Sequence, residues 1–395
     1  MARFQYGGQA LIEGVLMRGR SALAVALRHP DGSIVWATER LDLGLRSRRA
    51  MRLPFLRGLV VLYDTIVTGT RWLVRSATLQ ALAAEEAEKN GKGGSAGGAA
   101  GSAAATLLHS IVRMPLVPVL GAASDEGPAA SYTDPDATAP KPEPAAEEGL
   151  GKGYAVAVGG MLLFTLAFGI ALFFLLPLFL AQATVGRVDQ GFGLQLSEGL
   201  IRVVIFIGYL LLVGRAGDVR RTFQYHGAEH MSIHTLEGGD PLTVEAARKY
   251  PTAHPRCGTE FLVVVLIVSI LAFAVVGKLS PLWLIVSRVI LVPVIAAISY
   301  ELLQLGARHR RHALVRWAWS PGIWVQMITT RQPSDDMIEV ALVSLQRALV
   351  ADGNEIPEGS AVLASRPLSA QADLGVGAAD AGADAGGGPG VEAAS

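Results

Sequence analysis

Residues 154–182 read YAVAVGGMLLFTLAFGIALFFLLPLFLAQ, from Tyr154 to Gln182, without one Asp, Glu, Lys or Arg. About 20 such residues suffice to carry a helix across the hydrocarbon core of a bilayer. A single run of this kind also suits the buried helix of a large soluble protein, so the rest of the chain decides. Three more runs follow: GLIRVVIFIGYLLLVG from Gly199 to Gly214, EFLVVVLIVSILAFAVVG from Glu260 to Gly277, and PLWLIVSRVILVPVIAAISYELLQL from Pro281 to Leu305. Polar loops separate the four, which makes the soluble alternative untenable. The expected fold is mainly α: a polytopic membrane protein with about four transmembrane helices, a small N-terminal β element and cytoplasmic helices.

Composition agrees. Of 395 residues 51% are hydrophobic and only 17% charged, too apolar for an ordinary soluble chain of this length. The 34 Lys and Arg balance 34 Asp and Glu, so no global basic field points to nucleic acid. The expected partner is the lipid bilayer. Cys257 is the sole cysteine, which excludes an intrachain disulfide. At the N-terminus, Gln9 and Glu13 interrupt the apolar core that a cleaved signal peptide needs, so none is expected.

Orientation follows from the excess of Lys and Arg in cytoplasmic loops. Only Arg187 lies between the first two spans and only Lys278 between the last two. Arg215, Arg220, Arg221, Arg248, Lys249 and Arg256 lie between the second and third, and Arg308, Arg310, Arg311 and Arg316 follow the fourth. Both termini and the loop at 215–258 are therefore expected on the cytoplasmic side.

Outside the membrane domain at 151–305, residues 1–53 suggest a cytoplasmic β element, with SALAVALRHPDGSIVWATERL alternating and turning over Pro30, Asp31 and Gly32. Residues 54–89 carry apolar residues at helical spacing, interrupted by Asp64 and Arg71, and suggest an amphipathic helix rather than a fifth span. The Gly, Ala, Pro and Ser content of 90–150 suggests a linker, in which LLHSIVRMPLVPVL is too short and proline-broken to cross. In 306–351, SPGIWVQMITT is expected to open with a Pro-Gly turn into a short interfacial or re-entrant element. Ser334 offers an N-cap to the helix MIEVALVSLQRALV. The Ala/Gly-rich tail at 352–395 is expected to be disordered.

The loop at 215–258 carries the chemistry. A helix through VRRTFQYHGAEHMSIHTLE, capped by Asp218 and stopped at Gly238 and Gly239, puts His226 and His230 on one face with Glu229 alongside. Imidazoles at i and i+4 chelate Zn²⁺ without distorting a helix, and H-x-x-E-H is the inverted zincin order, with Glu as base. His234 continues that face and either reaches the metal or faces solvent. Glu237 lies roughly 10 Å along the axis from His230 and joins only if the helix breaks. A third ligand is better supplied by AHPRCGTEF, where Pro255 forces a turn that presents His254 and Cys257. Cys257 also stands at a helix N-terminus, whose dipole favours thiolate. An alternative makes Cys257 a nucleophile activated by a histidine, although no nucleophile signature surrounds it.

Two ionisable groups fall in the fourth span. Arg288 is expected to snorkel toward the outer headgroups, and Glu301 to be captured by an interfacial arginine.

With these motifs, YGGQALIEGVLMRG at 6–19, FQYHGAEH at 223–230, LTVE at 242–245, HPRCGTEF at 254–261 and PGIWVQMITTRQPSDDMIEVAL at 321–342, the chain resembles the YqhQ-like bacterial membrane proteins, often described as predicted metal-dependent enzymes. The resemblance implies a multipass protein of the bacterial inner membrane. It points to His226, Glu229, His230, His254, Arg256 and Cys257 as the functional set, with Glu13, Arg18, Glu237, Glu245 and Glu301 as secondary positions. His234 matches no motif position of the family. The N-terminal motif has a plain reading as a strand with tight turns, its Glu13 and Arg18 paired across a sheet, and a functional one that sets both against the histidine loop.

The resulting expectation is a divalent transition metal, with Zn²⁺ the best match, held by His226, His230, His254 and Cys257. Glu229 would act as base and Arg256 as oxyanion stabiliser in the hydrolysis of an amide or ester. The alternatives are a scaffold or assembly factor with a structural metal site, and a transporter, for which the inverted repeats of many such folds are missing.

Overall fold

The computed structural model describes residues 6–41, 53–90, 160, 163–185, 192–255, 257–276, 280–309 and 312–368. The linker at 90–150, the oxyanion candidate Arg256 and the tail beyond 368 thus lie outside the described residues, Asn90 excepted.

Among the described residues four helices are long and apolar enough to cross a membrane: α2 (Leu163–Thr184), α3 (Phe192–Val213), α6 (Thr259–Val276) and α7 (Pro281–Arg308). In the apolar windows of these helices only 17–33% of residues are buried inside the protein, and Leu163, Val204, Leu212, Leu271 and Ile290 are each more than 60% exposed. Apolar area presented outward on this scale needs lipid around it. The second span begins earlier than its apolar run implies. Helix α3 starts at Phe192 and includes Ser197 and Glu198, because Glu198 is neutralised inside the protein.

At one end of the spans, where α3 ends and α6 begins, sits a five-stranded sheet in the order β1 (Gly7–Leu11), β2 (Gly14–Arg18), β3 (Ala22–Arg28), β4 (Ile34–Arg40) and β5 (Arg366–Pro367). The first four are antiparallel neighbours, and β5 joins β4 in parallel. Both faces of this sheet are covered. Val15, Met17, Ala24 and Ala26 pack on α4 (Gly217–Gly238) and α9 (Asp335–Ala351), through side chains such as Tyr225, Met231, Ile338 and Leu345. Leu16, Leu23, Val25 and Leu27 pack on Trp72, Leu73 and Leu79 of α1 (Leu56–Asn90). Two-sided burial is why ALAVALR in β3 is apolar at nearly every position, instead of alternating with polar residues.

Several local expectations are corrected. Glu13 and Arg18 do not pair with each other. Glu13 sits in the β1–β2 turn at φ 55° and binds Arg221 and Tyr225 of α4, whereas Arg18 bridges to Asp64 of α1 at 2.6 Å. Asp218 lies within the first turn of α4, whose N-cap is Ala216, while Gly239 ends it in the left-handed region at φ 77°. Ser334 does stand at the N-cap of α9, although no side-chain bond caps the helix.

The SPG sequence at 320–322 does not turn: α8 (Ala313–Thr329) runs straight through Pro321. Proline removes the N–H that would bond Trp317, and the Ser320 hydroxyl donates to that carbonyl at 2.8 Å instead. The segment after α9 is also ordered up to 368. Asp352 accepts from the Arg20 and Ser21 amides at 2.7 and 2.8 Å, and Ser360 and Arg366 fix the chain against Leu242 and the sheet edge.

Candidate metal centre

Helix α4 crosses the end of the membrane domain with its histidines in a row. Two glycines let it sit close to its neighbours. A Cβ on Gly227 would collide with the carbonyl oxygen of Arg331, and a Cβ on Gly8 of β1 would lie 2.7 Å from Glu229 Cγ. The YGG sequence at 6–8 therefore lets a strand lie directly on the Glu229 side chain. Burial falls along the row: His226, Glu229 and His230 are buried, His234 is half-buried and Glu237 is exposed.

The two buried imidazoles are held in one tautomer by backbone carbonyls. His226 Nδ1 donates to Thr329 O at 3.0 Å, at the end of α8, and His230 Nδ1 donates to Thr252 O at 2.6 Å. A carbonyl oxygen only accepts, so each Nδ1 carries the proton and each Nε2 keeps its lone pair, the form that binds metals. His226 Nε2 lies 3.1 Å from Cys257 Sγ, and the two ring centroids are 4.4 Å apart. Each of His226, His230 and Cys257 offers a donor atom within 4.8 Å of the other two. Two imidazoles and one thiolate suit zinc.

Electrostatics follow from burial. Desolvation lowers His226 to about 4, only partly offset by its bond to Thr329, and holds His230 well below the usual imidazole range, with the neighbouring histidines adding to it. Both rings are neutral at pH 7. The Glu229 carboxyl, 3.3 Å from His230 Nε2, is pushed up to about 8 by desolvation against the opposing hydrogen bond from the Gly8 backbone. For Cys257 burial overrides the helix-end effect. Desolvation and then Glu229 raise its thiol well above the ordinary value, although the Thr259 N–H and hydroxyl donate to Sγ at 3.4 and 3.2 Å. Burial thus favours the thiol over the thiolate expected at a helix end, with His226 Nε2 at 3.1 Å in reach of its proton; a metal ion at Sγ would displace that proton.

His254 stands one ring further along, its centroid 5.6 Å from His230. Its Nε2 lies 3.4 Å from Glu237 Oε2, and its ring 4.4 Å from that of His234. The four residues read from the sequence are thus neighbours, but His226, His230 and Cys257 form one set while His254 joins His234 and Glu237. The loop folds so because His254 N–H donates to Gln326 Oε1 at 2.9 Å and the Cys257 N–H closes a turn onto His254 O at 3.3 Å.

The secondary positions divide. Glu237 is at the site, and Glu13 supports α4 from the turn. Glu245 is exposed in the first turn of α5 (Val244–Ala247), and Glu301 is bound by Arg57 as expected. Arg288 is corrected most sharply. It is 0% exposed and binds Glu198 at 2.6 Å, while Arg202 of the same helix as Glu198 binds it from the other side at 2.5 Å. Both guanidiniums lie over the Phe273 ring, at 4.1 and 4.9 Å. Sequence reading missed Glu198 because it preceded the apolar run; its spacing of four from Arg202 was the available signal. Arg202 also borders a cavity of about 280 Å³ lined by Leu62, Phe173, Phe206, Phe261 and Ser269.

Fold and site together define a polytopic membrane protein with a histidine, cysteine and glutamate cluster at the mouth of its helical domain. The chain belongs to the family described as "Protein of unknown function (DUF1385)", whose model matches residues 53–351. It is similar to "Uncharacterized protein YqhQ" of Bacillus subtilis (strain 168), 29% identical over 345 residues that cover 87% of this chain and 92% of the relative. No solved structure matches it.

Proposed function

We propose that this protein is a metal-dependent hydrolase of the cytoplasmic membrane, acting on an amide or ester at its cytoplasmic face. The observation that carries the proposal is the paired tautomer control: the Thr329 and Thr252 carbonyls hold the protons on Nδ1 of His226 and His230 and leave both Nε2 lone pairs available, His226 Nε2 at 3.1 Å from Cys257 Sγ and His230 Nε2 at 3.3 Å from Glu229. A hydrogen-bond arrangement of this kind is what metal-binding histidines need from their surroundings. Zinc, when bound, supplies Lewis acidity toward water or the scissile carbonyl. Glu229 takes a proton from water and returns it to the leaving group. Burial alone pushes its carboxyl up to about 8, and a cation held beside it would draw it down toward the carboxylate that accepts a proton. The row opens toward solvent at His234 and Glu237, and substrate enters from that end.

The distance of 3.3 Å from Glu229 to His230 Nε2 favours one competing reading, in which Glu229 is a fourth ligand and the metal is structural. Replacing Glu229 by Gln separates the two. A catalytic base gives a variant that keeps its metal and fold but fails to complement a deletion strain. A ligand gives a variant that loses metal, and normal complementation by the metal-loaded variant would defeat the hydrolase.

A further inference from the structure

Building on the metal site just proposed, we infer that His234, Glu237 and His254 hold a second divalent transition metal, so that the centre is dinuclear. The two donor sets share no residue. The donor atoms of His234, Glu237 and His254 lie within 4.8 Å of one another, as do those of His226, His230 and Cys257. The His234 ring lies 4.4 Å from that of His254 and parallel to Tyr250, at 5.9 Å and 5°.

Orientation is imposed here as it is in the first set, but with the opposite nitrogen. His234 Nε2 lies 3.0 Å from Ala253 O and donates to it, so the neutral ring carries its proton on Nε2. The carbonyls of Thr252 and Ala253, consecutive in the chain, therefore orient one histidine of each set. His254 is 2% exposed and is fixed through its own N–H to Gln326. The four imidazoles then form a continuous row, with centroids separated by 4.4, 5.6 and 4.4 Å in the order His226, His230, His254 and His234.

The sets differ in chemistry. Two nitrogens and a sulfur, all buried, favour zinc or another soft ion. Two nitrogens and a carboxylate at the solvent edge match the sites of harder ions such as Fe²⁺ or Mn²⁺, as well as Zn²⁺. Sequence spacing hid this set, because Glu237 cannot reach a metal held by His230, yet it meets a histidine brought from another segment.

Cobalt(II) distinguishes the sets, since only Cys257 can give a sulfur-to-cobalt charge-transfer band. Titration of the detergent-purified full chain with Co²⁺ should reach two ions per chain, with the sulfur band accompanying only one. Glu237→Gln and His234→Ala, both at the exposed end, should each reduce the count to one and keep the sulfur band. Cys257→Ser should abolish the band and leave the second ion bound. A wild-type count of one, or loss of the sulfur band in Glu237→Gln while the chain stays monodisperse, would overturn the dinuclear assignment in favour of one composite site and leave the hydrolase reading standing. A chain that binds no cobalt would overturn both.

Discussion

Glu198, Arg202 and Arg288 put three formal charges inside the membrane domain, and all three are at most 2% exposed. Glu198 receives both guanidiniums, and Ser269 and the Phe173 carbonyl accept from two further N–H groups of Arg202 at 3.1 and 2.9 Å. Removal of Glu198, the one anion between two buried cations, leaves both guanidiniums uncompensated, at a cost of about 3–5 kcal/mol. Glu198→Ala should therefore lower the melting temperature in detergent sharply, whereas Arg220→Ala, on an exposed face of α4, should not; equal stability of both variants would contradict the clamp. Residue by residue, the candidate site was legible where chemistry and spacing lie within one segment. The i and i+4 spacing of His226 and His230 and the nearby Cys257 were enough to nominate them. What was hidden depends on contacts across the fold: Gly8 against Glu229, Thr329 against His226, and Glu237 against His254.

At the scale of elements, helix α8 shows how far local signals reach. A Pro-Gly pair ordinarily ends a helix, but Ser320 satisfies the freed Trp317 carbonyl and Gly322 lets the helix lie against Glu260, where a Cβ would come within 2.8 Å of its Cγ. Without that hydroxyl the carbonyl loses its partner, so Ser320→Ala should destabilise the protein by about 1 kcal/mol, read as a shift in the thermal midpoint. No change would mean the carbonyl is satisfied otherwise. The same helix ends at Gln326 and Thr329, which hold His254 and His226, so its continuity positions both donor sets. The four spans were legible because a bilayer demands long apolar runs whatever the tertiary contacts. The sheet was only half legible. Its β3–β4 hairpin announces itself through Pro30, Asp31 and Gly32, but β5 comes from a segment more than 300 residues away whose composition suggests disorder.

For the whole molecule, the sheet, α4 and α9 gather at the end of the bundle where α3 stops and α6 starts, so the site and the sheet share one side of the membrane. From the arginine-rich loops we propose that this side is the cytoplasmic one. A C-terminal reporter active only in the cytoplasm should therefore be active, and its silence, with an exported reporter active instead, would invert the orientation. We propose that this fold holds metal at the mouth of the bundle, and metal content is the direct readout. Mass spectrometry of the detergent-purified chain should find transition metal at one equivalent or more, and a His226→Ala/His230→Ala variant of unchanged oligomeric profile should lose the ion held with Cys257. A wild-type chain that contains no metal and still complements a deletion strain would contradict the account.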